Sequence, residues 1–143
     1  MWLQKTLVIK ARQRGFHLIT DELLAQLPEL SIIETGLAHL MLLHTSASLS
    51  INENADPTVR MDLDAHLNNL APEGQPYYRH ILEGADDMPA HIKAALLGVE
   101  LTVPISRGRL QLGSWQGVYL GEHRDDGGER SVIVTLNGMS VQG

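Results

Sequence analysis

Residues 44–52 set polar against apolar side chains with a period of two: His44, Ser46, Ser48, Ser50 and Asn52 interleave with Ala47, Leu49 and Ile51. Successive side chains of a strand point to opposite faces. In an extended chain Ala47, Leu49 and Ile51 therefore face a core, and the other face carries only imidazole, hydroxyls and an amide. The preceding residues 37–43 are almost continuously apolar. Together the two stretches demand a sheet with at least one covered side.

The flanking sequence fills in the rest. Leu3, Leu7, Ile9 and Ala11 alternate with polar residues over 3–11, which suits a half-buried strand, although Lys5 and Val8 break the pattern. Thr20 is positioned to cap a short helix, with Asp21 and Glu22 in its first turn and a stop near Pro28. Asp56-Pro57 reads as an N-cap followed by Pro at the first helical position. Val59, Leu63, Leu67 and Leu70 then supply an apolar stripe, and residues 71–76 are a breaker-rich loop. A third helix starts near Asp87-Met88-Pro89, buries Ile92, Ala95 and Leu96, and ends at Gly98.

Beyond Gly98 come short Val, Leu and Ile-rich stretches at 101–105, 109–112, 116–120 and 131–136, separated by turns such as Arg107-Gly108 and Gly113-Ser114. Close spacing favours antiparallel pairing, and the βαβ rhythm of a doubly wound sheet is missing. The expected class is α+β: antiparallel sheets packed with about three helices, in one domain spanning 1–143. Its 143 residues are long enough for a single core that buries roughly two thirds of the unfolded surface.

Composition narrows the chemistry. Eleven basic against 17 acidic residues leave a net charge of −6, the wrong sign for attracting a phosphate backbone, so nucleic acid is not an expected partner. With no Cys, a thiolate zinc site, an iron–sulfur cluster, a disulfide framework and a cysteine nucleophile are all excluded. No stretch approaches the roughly 18 apolar residues of a membrane span, and the first residues lack the apolar run of a signal peptide. The expected location is the cytoplasm.

Seven His remain. His44, His80 and His91 come from three different elements and can hold a divalent ion, zinc or magnesium or manganese, with one position open. Glu53, Asp56, Asp86 and Asp87 would support them. The alternative is that each imidazole is simply hydrogen-bonded and partly buried. Glu53 is a candidate general acid or base, since Glu has no special advantage in a tight turn. Trp115, between glycines at 113 and 117, is either a turn cover or a flat wall for a planar ring. Lys93, Arg60, Arg124 and Arg130 are candidates to grip an anion.

The ordered series His44-Thr45-Ser46-Ala47-Ser48-Leu49, Asn52-Glu53-Asn54 with Asp56-Pro57, Asp86-Asp87-Met88-Pro89 with His91-Ile92-Lys93, and Gly108 through Leu110, Leu112-Gly113 to Trp115-Gln116 closely resembles the YjbQ family, also called the secondary thiamine-phosphate synthase family. The likeness runs from Trp2 to the final strand. It implies a homotrimer with pockets at or near subunit boundaries. It also implies coupling of a hydroxymethylpyrimidine diphosphate to a thiazole phosphate with release of pyrophosphate, as a weak or secondary activity. One departure is that Glu129-Arg130-Ser131 offers a single Arg where a denser basic cluster is expected.

Such a reaction must stabilise a departing diphosphate. On this reading His44, His80 and His91 hold the ion, and Glu53, Asp56, Asp87 and His91 form the catalytic set. Thr45, Ser46, Ser48, Asn52, Asn54, Lys93, Trp115, Gln116 and Arg130 bind the phosphorylated substrate. Two rivals use the same residues: a metal-dependent hydrolase of a small phosphorylated metabolite, and a non-catalytic metabolite-binding trimer.

Overall fold

The computed structural model describes residues 1–141. Eight strands form two sheets, and every pair is antiparallel. The strands are β1 (Trp2–Ile9), β2 (Gly15–Leu18), β3 (Ile33–Leu42), β4 (Ala47–Glu53), β5 (Glu100–Ser106), β6 (Arg109–Leu110), β7 (Gln116–Glu122) and β8 (Arg130–Ser140). The larger sheet has the order β1-β8-β3-β5-β6, and the smaller β2-β7-β4. Helices α1 (Thr20–Ala25), α2 (Pro57–Leu70) and α3 (Asp87–Leu97) complete the fold, with a 3-10 turn at Pro28–Ile32. The α+β class with three helices matches the expectation.

The core lies between the sheets. Leu7 and Ile9 of β1, Leu40 and Leu42 of β3, and Val132, Val134 and Leu136 of β8 meet Ala47 and Leu49 of β4 and Val118 and Leu120 of β7, all nearly inaccessible to water. Ala47 and Leu49 thus face inward as the period requires, whereas Ile51, expected with them, is only half buried. A second cluster of Phe16, Leu67 and Tyr119, with Leu18, Leu63 and Leu97 against it, seats α2 and α3 on the other face of the small sheet. On the serine face of β4, Ser48 is buried, and Ser46, just ahead of the strand, is buried against Arg130.

Local details depart from the sequence reading in instructive ways. Thr20 does not cap α1; Ile19 holds the cap position, and Thr20 Oγ1 accepts the Val118 N–H at 2.9 Å, tying the helix to β7. Asp56 does cap α2, accepting from the Thr58 N–H at 2.9 Å, but Leu70 at the end of the stripe is exposed. On α3 the buried residues are Asp87, Pro89, Ala90, Lys93 and Ala94 rather than Ile92, Ala95 and Leu96, and Leu96 is exposed. Hydropathy pointed to the wrong face, because the inward stripe carries an acid and a lysine.

His123 follows β7 and is buried with its Nε2 2.9 Å from Ser48 Oγ. Burial, reinforced by the charges of Lys93, Arg130 and Arg14, drops its pKa from 6.5 to about 3. The unfolded chain then binds the proton that the folded chain refuses, so stability is lost as pH falls from 6.5 towards 3. Chemical denaturation between pH 7 and pH 5 is expected to show this decline, with a limiting slope of about 1.4 kcal/mol per pH unit for one proton. His123→Asn is expected to flatten it; a variant with an unaltered slope contradicts the assignment.

Candidate metal centre

His80, Asp87 and His91 converge. His80 stands in the loop between α2 and α3, and Asp87, at the start of α3, and His91, one turn on, share a face, since residues four apart on a helix are neighbours. One ligand atom from each lies within 4.8 Å of the other two. Asp87 Oδ2 is 2.7 Å from His80 Nε2 and 3.0 Å from His91 Nε2. The Asp87 side chain is only 2% exposed, whereas His80 is 45% and His91 29% exposed.

The protons decide what this arrangement can hold. His91 Nδ1 lies 2.9 Å from the Thr45 carbonyl. A carbonyl only accepts, so Nδ1 carries the hydrogen and Nε2 of the neutral ring presents its lone pair to a carboxylate oxygen. Two acceptors cannot face each other without a cation between them. A proton on Nε2 satisfies the pair, and so does a metal ion.

Such an ion is supported by the second contact, because metal-binding His side chains characteristically donate their other N–H to a carbonyl or carboxylate. Bonds near 2 Å place ligand atoms about 3.3 Å apart, so the two Asp87 contacts, now 2.7 and 3.0 Å, would lengthen to admit an ion. Two imidazoles and one carboxylate suit zinc or manganese and leave positions open. Burial works to raise the Asp87 pKa, but its contacts with His80 and His91 and the neighbouring Arg124 guanidinium outweigh it and hold the carboxyl below the ordinary range. The residues present fit a divalent ion.

His91 also lines a cleft of about 620 Å³, whose walls are largely apolar and include Met41, Leu43, Ala94, Ala95 and Val99. Thr45 and His44 stand at the same cleft. His44 does not join the cluster: its Nε2 accepts the Ser131 N–H at 2.8 Å, and burial together with the Arg130 charge lowers its pKa. The expected three imidazoles are thus corrected to two, with Asp87 as the third donor.

Other expected site residues are committed elsewhere. Arg130 and Glu122 point between the sheets as a bidentate pair, Nε to Oε1 at 2.8 Å and Nη2 to Oε2 at 2.6 Å, and Arg130 Nη2 also donates to Ser46 Oγ at 3.1 Å. Both are buried, so Arg130 and Ser46 are not a phosphate grip. Ser48 is spent on His123. Lys93 is buried with Nζ donating to Asn68 Oδ1 at 2.6 Å, and burial and the Arg14 charge lower its pKa against the pull of Asp64, Glu73 and Asp125.

Glu53 accepts the Asp56 N–H at 2.8 Å, and its carbonyl accepts from the Tyr119 hydroxyl. Glu53 and Asp56 therefore build the entry to α2. Asn52 accepts the Glu53 N–H, while Asn54 donates to the carbonyls of Ser114 and Gln116. Gln116 accepts the Gly113 N–H, and Trp115 is exposed on that turn. This group sits at the Glu53 end of β4, paired with Gln116, whereas Thr45 precedes the Ala47 end, paired with Glu122. Seven strand residues separate the ends by about 20 Å, too far for one site within a chain.

Asp87 was expected to support the imidazoles, and the Asp-x-x-x-His spacing was the signal that it stands beside His91. Arg124 was expected to meet an anion, and it does, but the anions are Asp86 and Asp87.

The chain matches the family model described as UPF0047 protein YjbQ-like over residues 5–139. It belongs to the YjbQ/UPF0047 family. It is 56% identical over 138 residues to the UPF0047 protein YjbQ of Salmonella typhimurium, covering 96% of this chain and 99% of the relative. To UPF0047 protein YugU of Bacillus subtilis it is 40% identical, over 82% of this chain and 87% of the relative. Among solved structures, the conserved hypothetical protein TT1486 of Thermus thermophilus superposes with a TM-score of 0.79 at 42% identity, covering 91% of this chain and 97% of that one. A YjbQ/UPF0047 family protein of Clostridium acetobutylicum gives 0.80 at 35% identity, covering 93% and 99%.

Removing one partner of a buried ion pair strands the other charge. Arg130→Met is expected to cost about 3–5 kcal/mol in chemical unfolding, and Arg130→Met with Glu122→Gln to recover most of that loss. Equal losses in the single and double variants would mean that the pair matters by shape alone.

Proposed function

We propose that this chain is a cytoplasmic, metal-dependent enzyme of phosphorylated small molecules, and specifically a secondary thiamine-phosphate synthase. It would join a hydroxymethylpyrimidine diphosphate to a thiazole phosphate and release pyrophosphate. The observation that carries the metal is His91, whose Nδ1 hydrogen is spent on Thr45 and whose Nε2 faces Asp87. The specific reaction rests on the resemblance to the family. No helix of the described residues is long and apolar enough to cross a membrane.

His80, Asp87 and His91 would hold a divalent ion, which would supply Lewis-acid neutralisation of a departing phosphate oxygen. The chain's own residues do the rest. The Thr45 carbonyl fixes the plane of His91, and Asp87 stays ionised at the floor of the site. Met41, Leu43, Ala94, Ala95 and Val99 offer an apolar wall beside His91, suited to a heterocycle and to keeping water from the reacting methylene. Lys93 and Arg130 are withdrawn into the interior and would take no part in neutralising phosphate.

That withdrawal also favours a second reading, hydrolysis of a singly phosphorylated metabolite, which needs one anion held rather than two. Homotrimer formation is proposed as well. Leu37, Met41, Val8, Trp2 and Met139 lie exposed on the large sheet, while α2 and α3 cover the small one. Exposed apolar side chains of this kind suit a second copy of the chain.

Native mass spectrometry of zinc-loaded protein, paired with product analysis on both half-substrates, tests these proposals together. The expected result is three chains carrying one ion each, with pyrophosphate and coupled product formed in equal amounts and lost on chelation. Full turnover by metal-free protein would sink the metal role. Inorganic phosphate without coupling would favour the hydrolase, and neither product would leave the non-catalytic binder.

A further inference from the structure

Arg124 follows β7 and directs three nitrogens at the segment that delivers the site. Nε donates to Asp86 Oδ2 at 2.9 Å, Nη1 to Asp87 Oδ1 at 2.7 Å and Nη2 to the Glu83 carbonyl at 2.9 Å. The Asp125 N–H adds a fourth tie to Asp86 Oδ2 at 2.9 Å. A guanidinium is planar, so three acceptors met at once fix its position and theirs. Its base is firm too, since the Arg124 N–H donates to Glu122, which the buried Arg130 already clamps.

Each contact bears on a different part of the site. Holding Asp87 Oδ1 leaves Oδ2 turned to the two imidazoles, and a carboxylate free to rotate would present either oxygen to either ring. Holding Asp86 fixes the residue that opens α3, which lacks a side-chain cap of its own. Glu83 lies three residues after His80, so its tether limits the loop that carries the more exposed imidazole.

We infer that Arg124 is a positioning residue for ion binding at His80, Asp87 and His91, an inference that rests on the metal reading above. Charge and geometry here predict opposite signs. Removing Arg124 deletes a positive charge and leaves Asp86 unbalanced, which by Coulomb attraction alone tightens a divalent cation. Loss of alignment loosens it. Replacement of such supporting partners typically weakens metal affinity about 10–100-fold.

Cobalt(II) titrations of wild type, Arg124→Met, Arg124→Lys and Asp86→Asn, followed by visible absorption, separate the two effects. The expected result is a dissociation constant raised about 10–100-fold in Arg124→Met, with changed band intensity as Asp87 drops out. Arg124→Lys keeps the charge without the fork and is expected to weaken binding too, so it carries the test if the methionine variant does not fold. Asp86→Asn leaves the Nη1 contact to Asp87 and is expected to change the constant least. Unchanged or tighter cobalt binding in folded Arg124 variants, with only a lower melting temperature, overturns the positioning role. Wild-type protein that binds no cobalt removes the metal reading itself, and this inference with it.

Discussion

One hydrogen bond organises the site: His91 Nδ1 to the Thr45 carbonyl. It joins α3 to the chain just before β4, and it fixes the tautomer. With that hydrogen committed, the neutral ring turns its Nε2 lone pair to Asp87, which accepts as well. Either a proton on Nε2 or a metal ion between the two satisfies both. His80 enters as the third electron-rich group, brought in by a loop that Arg124 restrains.

The fold places this cluster at one end of the small sheet and stiffens it from within. Glu122 ends β7 and Arg130 begins β8, so their buried pair links the two sheets across the edge of the core. Arg124, two residues after Glu122, reaches from that edge to Asp86 and Asp87. Ionised groups thus run in an unbroken series from the interior to the partly exposed imidazoles. Buried charges of this kind are tolerable only because each meets a partner.

The sheet architecture was legible because a period of two has few physical interpretations. Ala47 and Leu49 went inward as the alternation required, and Asp56-Pro57 opened a helix because capping is a local matter of backbone donors. The covered serine face was not legible. Nothing in Ser46 or Ser48 says that they will be buried, and their partners Arg130 and His123 are 84 and 75 residues away. Lys93 misled for a related reason: its burial depends on Asn68 from another helix.

The candidate site was half legible. His80 and His91 were read as ligands, and the structure brings them together, but His44 was grouped with them on residue type alone and is held by the Ser131 amide. Glu53, Asp56, Trp115 and Gln116 were placed in the same pocket on residue type and on the family resemblance, whereas the length of β4 sets them at its far end. Only pairing and register reveal such separations.

Diffraction from zinc-soaked crystals at energies on either side of the zinc absorption edge addresses the ion most directly. One anomalous peak per chain is predicted, bonded to His80, His91 and Asp87 at about 2.0–2.2 Å. No peak there at saturating zinc, with His91 Nε2 still against Asp87, would mean that a proton alone fills the gap and would contradict the metal centre.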